Sequence, residues 1–287
     1  MAELELPALV DPAWLEAHLE HPGLRVIDAS WYLPDAGRDA RAEYAAAHVP
    51  GAIYLDLSTD LADVAAPLRN TVASPAALGA RFAAAGIGSE HAIVLYDRLG
   101  GYSAGRIWWT LRYVGHANSS LLDGGFTRWQ AEGRPVSARV PDLPPARFDV
   151  RERPRWLVAR RDVEAALRDG SAQIVDARSA ARFRGEGVEH AARRGHMPGS
   201  LNVPYDRNLA GDPPRLRSPE ELRALYVDAG VDFERPVITS CGSGVTASLS
   251  AFALTQAGHP DVAVYDGSWS EWGNAADTPV ETGPGTR

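Results

Sequence analysis

The chain has 287 residues, 45% of them apolar and 23% charged, a net charge of −8 and a single cysteine. Length alone suggests about two domains. The acidic balance argues against a nucleic-acid surface, which needs a basic patch, but leaves room for a local cationic pocket that takes an anion. One thiol excludes an intramolecular disulfide and fits a reducing compartment. No apolar run approaches the ~18 residues of a membrane span, and MAELELPALVDPAWL lacks a signal-peptide core. A cytoplasmic protein with no nucleic-acid or membrane partner is expected.

The elements come twice. LRVIDASW (24–31) resembles AQIVDARS (172–179), and AAHVPGAIYLD (46–56) resembles RGHMPGSLNVP (194–204), both at an offset of 148. YVGHANSSLLDGGFTRW (113–129) resembles QAGHPDVAVYDGSWSEW (256–272) at an offset of 143. A period this long means duplicated domains, since solenoid repeats run to about 50 residues at most.

Each copy reads as a strand (RVID, QIVD), a polar loop, a His-x-Pro-Gly turn and a second strand. SPAALGARFAAAGI and SPEELRALYVDAGV follow, with Ser as N-cap, Pro at the first helical position, and Gly86 or Gly230 as left-handed C-cap. Then come an apolar strand (AIVLYD, PVITS), a second helix, and a short strand ending in Asp-Gly (SSLLD, VAVYD). Uninterrupted apolar strands alternating with helices indicate α/β units, each a largely parallel sheet with helices on both faces. PVSARVPDLPPARFDVRERPRW, rich in Pro and Arg and without periodicity, reads as a linker. The division is therefore 1–136, a linker at 137–155, and 156–287.

Cys241 follows PVITS and precedes Gly-Ser-Gly and the helix TASLSAFALTQAG. Ligands of open α/β sheets bind beyond the carboxyl ends of the strands. A helix N-terminus there offers unpaired N–H groups and partial positive charge, which favour a thiolate. Gly242 and Gly244 let the backbone curl so that several N–H groups converge on one sulfur. Cys241 is thus a candidate nucleophile, although a free cysteine is also a common core residue. The loop carries no Arg for a phosphatase, no Lys-Ser/Thr pair for a nucleotide phosphate, and no second cysteine for a dithiol cycle.

The tandem repeat, the HVPGA and HMPGS turns, DGGFTRW, DGSWSEW and CGSGVTAS together resemble the two-domain rhodanese-family sulfurtransferases over nearly the whole chain. CGSGVT and the stretch 28–52 are similar to the 3-mercaptopyruvate sulfurtransferase subgroup. The resemblance implies two tandem rhodanese-like domains, with no metal or organic cofactor. It implies a persulfide on Cys241, formed from a small sulfur donor and passed to a thiol, thioredoxin or cyanide. Thiosulfate as donor and a persulfide-relay binding protein are the alternatives. Gly242, Gly244, Val245 and Thr246 would complete the loop, with Ser243 donating a hydrogen bond to the leaving enolate. Arg182 and a second arginine, Arg193 or its neighbour Arg194, would hold the donor carboxylate. His48, with Asp39 as partner, would form a relay to Ser243, although the matching His196 suggests that the turn is structural in both copies. Asp28 and Asp176 read as loop-organising acceptors, Trp129 and Trp272 as core, and Trp269 and Tyr102 as possible pocket lining. Ungapped pairing at offset 143 sets Arg98 opposite Cys241, so the first copy has no nucleophile.

Overall fold

The computed structural model describes residues 4–285. The chain forms two compact units. The first takes the chain up to Asp63, then Val72–Arg153 and Gly211–Leu216; the second takes Val64–Thr71, Pro154–Ala210 and the chain from Arg217 onward.

In the first unit, β1 (Leu24–Asp28), β2 (Ile53–Tyr54), β3 (Ala92–Tyr96) and β4 (Ser119–Leu121) form a parallel sheet in the order β2-β1-β3-β4. Every residue of β3 is buried, as a strand covered on both faces requires. Side chains alternate across the sheet. Ala92, Val94 and Tyr96 therefore share one face, where they pack with Leu15 of α1 (Pro12–His18) and with Phe126 and Trp129 of α5 (Gly125–Ala131). Ile93 and Leu95 face the other way, and α4 (Ala104–Tyr113) packs along β3 and β4. Between these elements, α2 (Ala40–Ala46) follows β1 and α3 (Pro75–Ala84) precedes β3.

Residues 137–153, read above as a linker, lie along this unit. Ser137 exchanges both backbone hydrogen bonds with His48, at 2.8 and 2.9 Å, and Ala146 N donates to Ala83 O at 2.9 Å. Arg151 N and Arg153 N donate to Val114 O and Tyr113 O at 2.9 and 2.8 Å. The stretch lacks periodicity because it adds no layer; it pairs its amide groups one at a time with loop and helix ends of the unit.

The second unit repeats the plan with one more strand. Its parallel sheet has the order β5-β11-β10-β6-β7, from β5 (Leu157–Val158), β6 (Gln173–Asp176), β7 (Leu201–Asn202), β10 (Val237–Ser240) and β11 (Val262–Tyr265). Two further two-residue strands, β8 (Leu209–Ala210) and β9 (Arg215–Leu216), fall between β7 and β10 in the chain. Ile174, Ile238, Ala263 and Tyr265 face Val163 and Ala166 of α6 (Arg160–Asp169) and Trp269 and Trp272 of α10 (Ser268–Trp272). The opposite face carries α9 (Val245–Gln256), packed on β10, β11 and α8 (Pro219–Asp228) and buried all round from Val245 to Leu254. Trp129 and Trp272 are both wholly buried, as the repeat suggested, and each indole N–H donates to a proline carbonyl, of Pro135 and Pro279.

The capping signals also hold. Ser74 and Ser218 accept from the backbone N–H of Ala77 and Glu221, at 3.3 and 3.2 Å, and Gly86 and Gly230 adopt φ of 76° and 97°. No helix among the described residues is long and apolar enough to cross a membrane.

Candidate functional site

Strand order locates the crevice. After β6 the chain crosses to β7 on one side, and after β10 it crosses to β11 on the other. The loops leaving β6 and β10 therefore diverge, and the gap beyond their carboxyl ends is the topological switch point where such sheets bind ligands. Cys241 lies on the loop after β10 and is 2% exposed. The loop after β6 begins Ala177-Arg178, and Ala177 N donates to Ser240 O at 2.8 Å, which ties the two together.

The nucleophile's own backbone is fixed from the other side. Trp269 N donates to Cys241 O at 3.0 Å, and Ser270 donates to Gly242 O through both its N–H (2.9 Å) and its hydroxyl (2.7 Å). Cys241 N donates to Ser268 Oγ at 3.1 Å, while that hydroxyl donates to Tyr265 O at 2.7 Å. Ser268 has φ 48°, a left-handed conformation in which a non-glycine residue is strained. Its counterpart in the first unit is Gly125 at φ 55°. Only the copy with the thiol places a side chain at this strained position, and that side chain holds the cysteine amide.

The two loop glycines do different work. Gly244, at φ 77°, is the left-handed residue that turns the chain into α9. Gly242 is not in that conformation, so backbone bending does not explain it. A Cβ at Gly242 would lie 3.1 Å from Nη2 and 3.5 Å from Nη1 of Arg182. A side chain there would press on the guanidinium end that rests against the loop beside Cys241. Ser243 is half-buried, and Val245 and Thr246 are buried in the first turn of α9, whose leading N–H groups have no partner within the helix.

Arg182, in the short helix α7 (Ala180–Phe183), is held by a chain of alternating charges. Its Nε and Nη2 donate to Glu189 Oε2 and Oε1 at 3.1 and 2.6 Å. Glu189 Oε2 also accepts from Arg178 Nη1 at 2.9 Å. Arg178 is fully buried, grips Asp176 Oδ2 with Nη2 at 2.6 Å, and stacks 4.3 Å from the Trp269 ring centroid. Burial pushes the Glu189 carboxyl up, but the Arg182 hydrogen bond and the charges of Arg182 and Arg178 outweigh it and hold it below the usual carboxylate range. Burial likewise opposes the charge on Arg178, and Asp176 and Glu189 more than restore it. Asp176 thus organises its loop, as expected. Trp269, expected at the pocket wall, is instead wholly buried beneath Arg178, with its indole N–H on Arg193 O.

Three sequence expectations fall elsewhere. The Arg193 guanidinium donates to Thr278 O at 2.6 Å and Trp272 O at 2.8 Å and also contacts Ala275 O and Thr278 Oγ1, so its donors secure the segment after α10. Arg194 is exposed. His48 presents its ring nitrogens to backbone carbonyls, Tyr44 O at 2.7 Å and Arg139 O at 3.1 Å, and stacks on Tyr44. Asp39 is no partner to it: as N-cap of α2, it accepts from Ala42 N at 3.0 Å. His196 repeats the arrangement, stacked on Phe183 with Nδ1 2.9 Å from Phe183 O and backbone-paired to Glu281. The His-x-Pro-Gly turn is one packing device used twice.

The residue corresponding to Cys241 in the first unit is Asp97, which corrects the ungapped pairing with Arg98. Asp28 pairs with Tyr96 as Asp176 pairs with Ser240, and Asp97 O accepts from Phe126 N (2.9 Å) as Cys241 O accepts from Trp269 N. The constant offset fails because six residues lie between Asp97 and the start of α4, against three between Cys241 and α9. The Asp97 carboxylate is cradled by its own loop. Oδ1 accepts from Leu99 N and Gly101 N at 2.8 and 2.9 Å, and Oδ2 from Ser103 N and Ala104 N at 2.7 and 2.9 Å.

Comparison with known proteins agrees with this architecture. The rhodanese-like domain model matches residues 11–132 and again 159–275. The chain is 37% identical to the 3-mercaptopyruvate sulfurtransferase of Escherichia coli (strain K12) over 271 residues, 93% of this chain and 95% of that one. It is 40% identical to the thiosulfate sulfurtransferase of Rattus norvegicus over 284 residues, 96% of this chain and 94% of that one. The crystal structure of SseA from Escherichia coli, a 3-mercaptopyruvate sulfotransferase, superposes with a TM-score of 0.84 at 36% identity, covering 93% of this chain and all of that one. With both copies matched and the fold shared, this chain belongs to the rhodanese-like family.

Proposed function

We propose that the chain is a sulfurtransferase that takes sulfur from 3-mercaptopyruvate onto Cys241 and hands it to a thiol acceptor such as thioredoxin, or to cyanide. The observation that carries this reading is the Arg182 guanidinium resting against Gly242, one residue from a buried thiol at the head of α9. Glu189 occupies the Nε side of Arg182, so the Nη1/Nη2 end faces the loop, and that fork matches a carboxylate held bidentately. Arg182 and the loop residues Gly242, Ser243, Gly244, Val245 and Thr246 supply the donor site, without Arg193, His48 or Asp39.

The steps balance as follows. The Cys241 thiolate attacks the donor sulfur, and an S–S bond forms as the donor C–S bond breaks. The electron pair leaves as pyruvate enolate, which takes a proton to become pyruvate. Ser243, half-buried on the loop, is the hydroxyl that donates to the enolate oxygen in this reading. The acceptor thiolate then attacks the outer sulfur and releases Cys241 as thiolate. Loop and helix N–H groups offset the negative charge at each stage. The first copy, with Asp97 in the corresponding place, carries no sulfur. A single unpaired thiol suits a reducing compartment such as the cytoplasm.

Relatives of both donor types match the chain to similar extents, so donor preference rests on the loop: no cation lies among residues 242–247, which favours a monoanion over compact dianionic thiosulfate. Peptide mass spectrometry after mercaptopyruvate treatment should find one added sulfur atom on Cys241, and Arg182→Ala should raise the KM for mercaptopyruvate about tenfold or more. An unmodified thiol would sink the reading. Equal or reversed kcat/KM with thiosulfate would move the donor assignment, and turnover with neither donor beside rapid sulfur uptake from a protein would make the chain a relay.

A further inference from the structure

We infer that Glu189 is a specificity-determining residue: by cancelling the charge of Arg182, it makes the Cys241 pocket select singly charged sulfur donors over doubly charged ones. The inference rests on the sulfurtransferase reading above and concerns a residue that does not touch the donor.

Asp176, Arg178, Glu189 and Arg182 form one continuous set of ion pairs, two negative and two positive. Only Arg182 reaches the loop. Its side chain is 31% exposed, whereas that of Glu189 is 4% exposed and that of Arg178 fully buried. The anion entering beside Gly242 therefore meets a hydrogen-bonding fork whose full charge is balanced one residue behind. A planar carboxylate is rewarded by geometry, through two parallel N–H···O bonds. A compact dianion gains more from net charge than from geometry, because its Coulomb interaction with any uncompensated charge is twice that of a monoanion. Burial makes the compensation effective, since solvent does not screen the Glu189 carboxylate as it would an exposed one. Glu189 also fixes the Nε side of Arg182 and so sets the angle of the fork. Two variants tell charge from placement: Glu189→Gln removes the charge and, by turning one accepting oxygen into a donor, also disturbs the fork, while Glu189→Asp keeps the charge and disturbs the fork alone.

The test measures anion selectivity without turnover. Iodoacetamide alkylation of Cys241 is followed in the full chain while pyruvate or sulfate protects the thiol, and kcat/KM for mercaptopyruvate and thiosulfate is measured beside it. In Glu189→Gln, sulfate protection should strengthen relative to pyruvate protection by about tenfold, with the kcat/KM ratio moving the same way toward thiosulfate. In Glu189→Asp, protection by both anions should weaken with their ratio unchanged. Should Glu189→Gln not fold, a moved ratio in Glu189→Asp still overturns the inference, as does an unmoved ratio in Glu189→Gln. If the unaltered protein turns over neither donor, the functional reading fails, and alkylation still decides whether Glu189 sets anion charge preference.

Discussion

Removing the Asp97 carboxylate should weaken the first unit more than a typical single substitution does. Asp97 is 1% exposed, and its two oxygens accept four backbone N–H bonds between 2.7 and 2.9 Å, plus the Ser103 hydroxyl at 3.2 Å. Hydrogen bonds to a charged group contribute about 1.5–3 kcal/mol each, and a buried donor left without a partner costs about 1–3 kcal/mol. Water entering the vacated space recovers part of this for Asp97→Ala, so a net loss of about 4 kcal/mol is expected. Asp97→Asn should lose about 3 kcal/mol, because its amide hydrogens meet two of the same N–H groups. Urea unfolding followed by tryptophan fluorescence reads the loss, and hydrogen exchange at Leu99, Gly101, Ser103 and Ala104 localises it. Added formate should restore part of the stability of Asp97→Ala and none in the unaltered protein. A loss under about 1 kcal/mol for both variants, with exchange at those four amides unchanged, would refute the view that the carboxylate organises the loop.

Ser268→Gly relieves the left-handed strain and copies Gly125, so stability should stay within about 1 kcal/mol of the parent, while persulfide formation on Cys241 slows roughly fivefold or more as the cysteine amide loses its acceptor; stopped-flow sulfur transfer and thermal melting separate the two. Arg193→Ala should destabilise the second unit by about 2–4 kcal/mol, through the Thr278 carbonyl that it leaves unpaired and the charged donor lost to the carbonyls of Trp272 and Ala275, which keep only the Thr278 hydroxyl, with the KM of the remaining folded protein unchanged. His116 is buried beside Phe148 with Nε2 2.9 Å from His91 O. Burial is the main cause that holds its pKa down at about 4. Its neutral form is the folded one, so stability is full above the unfolded value of about 6.5 and falls as pH drops toward 4, by up to about 3 kcal/mol. Denaturation midpoints at pH 7 and pH 4.5 should differ less in His116→Gln than in the parent.

The duplication was legible because its signals are local. Ser-Pro helix starts, glycine C-caps and apolar strands recur in phase, and each has a physical cause that a single sequence displays. Cys241 was legible for the same reason, as a thiol between a strand and a glycine turn. Arg98 was set opposite Cys241 because a constant offset runs across a loop that differs in length, and only the register of Asp28 on Tyr96 and Asp176 on Ser240 shows where the residue gap falls. Arg182 and Arg193 are both arginines of one polar run, and nothing in their spacing tells that one meets a carboxylate and a glycine while the other meets a row of carbonyls. Glu189 escaped notice because its importance comes entirely from two partners that fold over it. Ser268 had left a trace, the replacement of DGG by DGS between the copies, whose meaning required the backbone angle.

The basket around Asp97 has a consequence for how the paired copies came to differ. One holds a negative group covalently bound to the chain, which never leaves; on the function proposed above, the other sets in its place a side chain whose outermost atom is exchanged. On that reading the same strand-to-helix bend serves as a permanent fastening in one half of the protein and as a loading dock in the other, and the choice turns on whether the tip of a single side chain is carbon-bound oxygen or sulfur.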